Sequence, residues 1–120
     1  QCTSEYPCPP SRVNLDVIET YRAEFPDREV GFSDHTTGTL APTMAVSKGA
    51  TVIEKHFTTD KSLPGPDQTL SLEPAELQEL IGSIARAERL RGTDHKRPTE
   101  GETESVDTFR NRFENTELEN

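Results

Sequence analysis

The sequence predicts an α/β fold built on parallel strands. Two apolar runs of strand length, 29–34 and 51–56, flank a helical segment over 39–48 that ends at Gly49. A helix that connects two strands in this way makes a right-handed crossover between parallel neighbours. A longer helix over Pro74–Arg91 follows the second run. Strands that alternate with helices indicate either a barrel or an open doubly wound sheet.

A further strand and helix are predicted at the amino end, before the strand-helix-strand unit. Residues 1–4 are predicted as the tail of a strand, and the proline-rich residues 5–11 as a loop. A helix over 14–25 comes next, with Asn14 as its N-cap. Its apolar positions follow helical spacing, and they are Leu15, Ile18, Tyr21 and Phe25.

The long helix has the clearest sequence boundaries. Pro74 stands at its first position and Gly92 just past its end. Residues 57–72 before it are predicted as a long loop, which in a compact domain is usually functional or disordered. Residues 99–120 are predicted as a polar, acidic, flexible tail with a short helix near 105–115. The predicted buried stripe of the long helix consists of Leu77, Leu80, Ile81, Ile84 and Leu90.

The composition limits the partners and the compartment. The chain has 22 acidic and 13 basic residues and a net charge of -9. This argues against nucleic acid as a partner, because phosphate binding rests on clustered Lys and Arg. No apolar stretch approaches the roughly 20 residues that a membrane span needs, so we expect no membrane partner and a cytoplasmic protein. Cys2 and Cys8 are predicted to be reduced thiols.

Two histidines end the two central strands. His35 and His56 lie twenty-one residues apart, each at the end of an apolar run. Neighbouring strands are about 4.8 Å apart, so two imidazoles at the same height can share one ion. A lone histidine at a strand end is more often a satisfied polar group, but the matched pair favours a metal site. Two nitrogens leave coordination positions open for substrate and do not fix which metal binds.

Alternation along the strands adds polar neighbours to this pair. Ser33 shares a face with His35, and Glu54 shares a face with His56. Ser33 could donate to an anionic oxygen. Glu54 could orient a substrate hydroxyl or move a proton, or it could form a salt bridge inside a barrel.

Three further charged residues have open assignments. Asp34 and Lys55 alternate to the opposite face. There Asp34 could cap the helix near Thr39 or orient His35, and Lys55 is predicted to form a structural ion pair. Asp67 follows a rigid Pro-Gly-Pro turn and is either a substrate contact or a turn residue.

Five segments of the sequence stand out in order along the chain: CTSEYP at 2–7, GFSDHT at 31–36, GATVIEKHF at 49–57, PGPD at 64–67 and SLEP at 71–74. In order and in spacing they resemble the second half of the catalytic barrel of the sialic acid synthases, which include the N-acetylneuraminate, legionaminate and pseudaminate synthases. The resemblance covers residues 1–98 and implies the last three strand-helix units of a (β/α)8 barrel with parallel strands. Residues 99–120 no longer follow the family.

The resemblance implies a condensation reaction. Phosphoenolpyruvate would react with an open-chain N-acetylated amino sugar such as N-acetylmannosamine, giving a nine-carbon 2-keto acid and phosphate. His35 and His56 would hold a divalent ion, typically manganese, with magnesium or cobalt as alternatives. The ion would act as a Lewis acid on the sugar aldehyde, so that C3 of the enol ester can attack it. Water would then add to C2, and the tetrahedral intermediate would expel phosphate.

The resemblance also assigns roles to individual residues. Glu54 would act at the reacting centre together with the two histidines. Tyr6 and Asp67 match sugar contacts, and Ser33 matches a phosphoenolpyruvate contact. Ser4 falls where some members carry asparagine, so it joins the predicted substrate-binding set on weaker grounds.

Parts of the family's site lie outside this chain. Earlier strands of the barrel supply phosphate-binding lysines and carboxylates, and a C-terminal antifreeze-like domain completes the site across a homodimer. The chain starts at Gln1, and Met44 is its only methionine, so we expect its amino end to be a cut. We therefore expect a truncated fragment that does not turn over alone. The alternatives are a non-catalytic remnant or complementing half-barrel with a residual metal site, and a two-histidine metal hydrolase on a similar barrel.

Overall fold

The computed structural model describes the backbone of residues 1–116 and the side chains of residues 1–110 other than 104 and 107. It is an α/β structure with parallel strands, as predicted. Two short 3-10 helices, Pro10–Arg12 and Gln68–Leu70, lie in the loops. The main elements are α1 (Val17–Glu24), β1 (Gly31–Asp34), α2 (Leu40–Ser47), β2 (Val52–Lys55), α3 (Pro74–Arg91) and α4 (Glu100–Thr116).

Strands β1 and β2 form the centre of the sheet. They pair in parallel, with Ser33 opposite Glu54 and Asp34 opposite Lys55. Cys2 makes a parallel bridge to Ser33 on the other side of β1, so the predicted strand tail at the amino end is confirmed. The core lies around β1, and α1 and α2 contribute one residue each to its buried cluster, which consists of Cys8, Val13, Ile18, Val30, Phe32, Ala45 and Ala50.

The segment predicted as one loop over 57–72 contains a further parallel pairing. Leu72 bridges to Phe57, and its backbone N–H donates to the His56 carbonyl at 2.9 Å. Helix α3 therefore follows a fourth parallel segment instead of following β2 directly. The prediction of three strand-helix units missed this segment, because one bridged residue is too short to produce an alternating pattern.

Helix α1 begins later than predicted. Asn14 has a φ of +52°, a left-handed conformation that asparagine tolerates better than most residues. It therefore precedes the helix, and Asp16 occupies the N-cap position. The prediction of Asn14 as the cap was wrong, because a short polar side chain before an apolar run fits a turn as well as a cap.

Helices α2 and α3 follow their predicted boundaries closely. Gly49 ends the α2 segment with a φ of +100°, which only glycine adopts readily. The apolar stripe predicted on α3 is buried only in part. Leu80 is buried, whereas Ile81 is 61% and Leu90 85% exposed. The 3.6-residue period places these residues on one side of the helix, but it does not say how much of that side another element covers.

The segment after residue 98 is more helical than predicted. Helix α4 spans Glu100–Thr116, whereas only 105–115 was predicted. The Thr99 N–H donates to the Glu102 carboxylate at 2.7 Å, and the Glu102 N–H donates to the Thr99 hydroxyl at 3.3 Å. This reciprocal capping explains the earlier start. Residues 117–120 lie outside the described part, and the predicted flexibility of the tail stays a prediction. No helix within residues 1–116 combines the length and the apolarity that crossing a bilayer requires.

Carboxylate side chains at the start of α3 bind the loop that precedes the helix. This predicts that the stability of the fold falls when these carboxylates are protonated. Lys61 Nζ lies 2.6 Å from the Glu76 carboxylate, which also accepts the Glu73 N–H at 2.9 Å. The lysine, and secondarily this backbone donor, hold the pKa of Glu76 below its usual value. A depressed pKa stabilises the fold above the unfolded value of about 4.3, and this contribution is lost as the pH falls through the folded value.

We therefore expect Glu76→Gln to lower the urea unfolding midpoint at pH 7 and to match the wild type near pH 3. The control is Glu79→Gln, at an exposed position of the same helix, which should follow the wild type at both pH values. Equal midpoints for Glu76→Gln and the wild type at pH 7 would contradict the assignment.

Candidate active site

Four polar side chains lie on one face at the carboxyl ends of β1 and β2. The register places Ser33 directly opposite Glu54, and the Ser33 hydroxyl donates to Glu54 Oε1 at 2.6 Å. His35 and His56 follow on the same face, one alternation further along each strand. The structure thus brings together the four residues that the sequence placed on this face.

The two histidine rings lie beside each other. Their centroids are 5.2 Å apart, and the ring planes make an angle of 77°. His35 Nδ1 lies 2.8 Å from the backbone carbonyl oxygen of Thr3. Because a carbonyl only accepts hydrogen bonds, we assign the proton to Nδ1. The lone pair of His35 Nε2 is then available to a ligand, as in metal sites where the other ring nitrogen bonds a backbone carbonyl.

Tyr6 packs against both rings. It stacks on His56 with a centroid distance of 4.4 Å and an interplanar angle of 26°, and it meets His35 edge-on at 5.4 Å. Its hydroxyl donates to the Asp67 carbonyl at 3.3 Å. Tyr6 therefore joins the histidine pair to the loop after β2, an arrangement that sequence spacing could not reveal.

Asp67 lies beside His56, and its predicted contact with a substrate stays a prediction. Its carboxylate lies 3.8 Å from His56 Nδ1. Its backbone carbonyl also accepts the Ser71 hydroxyl at 2.8 Å and the Ser71 N–H at 3.1 Å, so it is a turn residue. Ser4 is exposed, and no hydrogen bond or ion pair among the described residues joins it to the histidines.

The opposite face of the same strand ends carries a buried ion pair. Lys55 Nζ lies 2.6 Å from Asp34 Oδ2, and the two side chains are 4% and 0% exposed. Asp34 also accepts the Thr36 N–H at 2.8 Å and the Thr36 hydroxyl at 3.2 Å. Lys55 therefore forms the predicted structural pair. Neither role suggested for Asp34, a cap near Thr39 or a partner of His35, is observed.

Sequence reasoning missed two contributors to this region. The contact of Thr36 with Asp34 could have been predicted from the sequence, because an aspartate two residues before a threonine often accepts a hydrogen bond from its backbone N–H. The Thr3 carbonyl had no signal, because every residue has a carbonyl and only tertiary structure decides which one faces a histidine.

The donor set suits a sparsely coordinated ion. Within the described residues no group of three or more His, Cys, Asp or Glu side chains forms a metal cluster. His35 and His56 could therefore supply two imidazole nitrogens, with the Asp67 carboxylate nearby. Two imidazoles fit a divalent ion that keeps most of its positions for water and substrate oxygens.

The stacking contact predicts that Tyr6 orders the His56 ring. We expect Tyr6→Leu to remove the ring-current shift of the His56 ring protons in the NMR spectrum, because leucine has no aromatic face. Tyr6→Phe is the matched control, which keeps the ring and loses only the hydroxyl bond to Asp67. A His56 spectrum that is the same in the leucine variant and the wild type would argue against the stacking.

The chain matches a known protein family over most of its length. A model of the NeuB family matches residues 1–96. The chain is 52% identical to N,N'-diacetyllegionaminic acid synthase of Legionella pneumophila over 101 residues, 84% of this chain and 28% of that protein. It is 48% identical to human N-acetylneuraminate-9-phosphate synthase over 96 residues, 80% of this chain and 27% of that protein. The chain thus spans little more than a quarter of these relatives.

A solved structure agrees with this grouping. The crystal structure of N-acetylneuraminic acid (sialic acid) synthetase from Leptospira borgpetersenii, in complex with citrate, superposes with a TM-score of 0.81 at 36% identity. The match covers 92% of this chain and 38% of that one. Because the family match extends over most of the chain and the fold agrees with a solved synthase, this chain belongs to the NeuB family, whose relatives here include sialic acid and legionaminic acid synthases.

Proposed function

We propose that this chain forms the metal-binding and sugar-binding part of a synthase that condenses phosphoenolpyruvate with an N-acetylated amino sugar. The products are a nine-carbon 2-keto acid and phosphate. The observation that carries the proposal is the pair of histidine rings, whose centroids are 5.2 Å apart. They lie on the same face as the Ser33–Glu54 hydrogen bond. The names of the relatives, synthases of legionaminic acid and of N-acetylneuraminate 9-phosphate, support a sugar acid as product.

The proposal includes the architecture and setting of the whole protein. Four neighbouring parallel segments, with helices after three of them, would form the carboxyl-terminal part of a (β/α)8 barrel. The strand ends that carry the histidines would then lie at the barrel's catalytic face. We further propose a cytoplasmic homodimer, and the free thiols of Cys2 and Cys8 fit a reducing compartment.

His35 and His56 would hold a divalent ion such as manganese, which when bound supplies Lewis-acid polarisation of a carbonyl oxygen. The hydrogen bond from His35 Nδ1 to Thr3 fixes the ring orientation, so that Nε2 is presented to the ion. Tyr6 restricts the His56 ring by stacking on it. These contacts keep both donors in place while substrates exchange.

Ser33 and Glu54 would act as a pair. The Ser33 hydroxyl donates a hydrogen bond to Glu54 Oε1, so donating to a phosphoenolpyruvate oxygen instead requires the hydroxyl to turn away. The same rotation frees the Glu54 carboxylate to accept a hydrogen bond or a proton from a sugar hydroxyl. Asp67, near His56, would contact the sugar from the loop side.

A chimera tests this function. The 101 matched residues of the Legionella synthase are replaced by the aligned residues of this chain, and phosphate release from phosphoenolpyruvate is measured. We expect release that requires manganese and an N-acetylated amino sugar. In this chimera Glu54→Gln should lower kcat by about 100-fold or more, because a positioned acid–base group contributes 10²- to 10⁴-fold. Glu88→Gln, at an exposed position of α3, is the control and should leave kcat unchanged.

The outcomes separate the competing functions. A folded chimera that releases no phosphate would overturn the proposal. Release that does not depend on the sugar would favour a metal hydrolase. The 120-residue chain alone is expected to release no phosphate, and turnover by it would contradict the dependence on the rest of the barrel.

A further inference from the structure

We propose that the buried Asp34–Lys55 ion pair positions the two histidines, by holding His35 and His56 at matching positions along the two strands. Each charged residue immediately precedes one histidine, and the two are direct partners in the register of β1 and β2. Only the manganese measurement below depends on the proposed function, because the relative position of two rings can be measured without metal.

The contacts around the pair enclose the backbone of His35. Asp34 lies on one side of it and Thr36 on the other, and Lys55 reaches both, through the Asp34 carboxylate and the Thr36 carbonyl. Thr36 completes this ring of contacts, because its N–H and its hydroxyl both donate hydrogen bonds to the Asp34 carboxylate. The segment that carries His35 is thereby attached to the residue just before His56.

Two strands of four residues each need such an attachment to hold their register. A slip by one residue would turn every side chain of a strand to the other face and would move one histidine away from its partner. The backbone hydrogen bonds between short parallel strands are similar from one residue to the next, so they do not by themselves select one register. The Asp34–Lys55 pair can form only when these two residues lie opposite each other. It therefore favours the observed register over registers shifted by one residue.

Stability alone does not explain an ion pair at this position. Apolar side chains of similar volume often stabilise a fold as well as a buried ion pair does, because the pair loses its hydration. What it adds over an apolar contact is a defined geometry between the two strand ends.

The decisive variant removes both charges in the purified 120-residue chain, as Asp34→Leu with Lys55→Met. Folding is followed by circular dichroism in urea. Ring proximity is followed by the nuclear Overhauser effect between the His35 and His56 ring protons, and manganese binding by the six-line electron paramagnetic resonance signal of the free ion. We expect a folded variant that is less destabilised than Asp34→Ala, loss of the ring-to-ring signal, and manganese affinity lower by about 10- to 100-fold, the size of effect that follows when a group that orients a metal ligand is lost.

Two single variants accompany it. Lys48→Met removes the lysine that bridges Asp16 and Glu19 at 2.8 and 3.1 Å, away from the histidines, and it should leave both the ring signal and the manganese affinity unchanged. Thr36→Val keeps the side-chain shape and removes the hydroxyl bond to Asp34. It should shift both readouts in the same direction as the double variant, but less.

The outcomes decide the proposal in each case. A folded double variant with the wild-type ring signal overturns it. If the double variant does not fold, Thr36→Val decides, and an unchanged ring signal in that folded variant overturns the proposal. If the wild-type chain shows the ring signal but binds no manganese, the proposed metal site fails, and the ring signal alone decides whether the pair positions the histidines.

Discussion

The double variant His35→Ala/His56→Ala is expected to lose manganese binding. The two imidazoles lie beside each other at the strand ends, and no third side chain among the described residues completes a metal cluster. Alanine in both positions leaves the ion with water and the nearby carboxylates of Glu54 and Asp67. The affinity should therefore fall by more than the roughly 10- to 100-fold caused by losing an outer-shell partner, and each single variant should lie between.

The measurement is a manganese titration followed by electron paramagnetic resonance, with circular dichroism as the test of folding. His95→Ala provides a matched control, because His95 is a third histidine with a largely exposed side chain whose nearest charged partner is Asp94 at 3.6 Å. It should bind manganese like the wild type. Equal binding by the double variant and the wild type would place the ion elsewhere.

Asp34→Ala is expected to be the most destabilising single substitution near the site. It leaves the Lys55 ammonium group in a position where its side chain is 4% exposed, without its carboxylate partner. Removing one member of a buried pair costs about 3–5 kcal/mol, a large part of the 5–15 kcal/mol that keeps a typical domain folded. Thr36 also loses the acceptor of its N–H and its hydroxyl.

Urea unfolding at pH 7 measures this effect. Glu5→Ala is the control, because Glu5 pairs with Arg12 at 2.9 Å on the surface, where ion pairs contribute about 0–1 kcal/mol. Asp34→Leu combined with Lys55→Met should be far less destabilising than Asp34→Ala, because it leaves no unpaired charge. A loss below about 1 kcal/mol in Asp34→Ala would mean that Lys55 reaches solvent.

The elements that the sequence predicted well are those with strong local signals. Proline at the first position and glycine past the end bound α3 at Pro74–Arg91, and Gly49 ends the α2 segment. Where one local pattern fits two structures, the prediction failed. Asn14 suited a cap as well as a left-handed turn, and the bridge at Leu72 left no periodic pattern at all.

The same division holds within the candidate site. Alternation along two strands was sufficient to place Ser33 and Glu54 on the face of the histidines, because side chains of a strand point to alternate sides. The stacking of Tyr6 on His56 and the bond from His35 to the Thr3 carbonyl join segments about 30 to 50 residues apart. No local pattern encodes such contacts.

By itself, the sequence determined the α/β class, the parallel strand pair, the shared face of the four polar residues and the resemblance to the sialic acid synthases. Each of these depends on residue order or on a period of two or 3.6. Only the tertiary structure decided which nitrogen of His35 is free, what Tyr6 contacts, and that Asp34 and Lys55 form a closed buried pair with Thr36. These features depend on distances between segments that are remote in the chain, and such distances are set by packing of the whole fold.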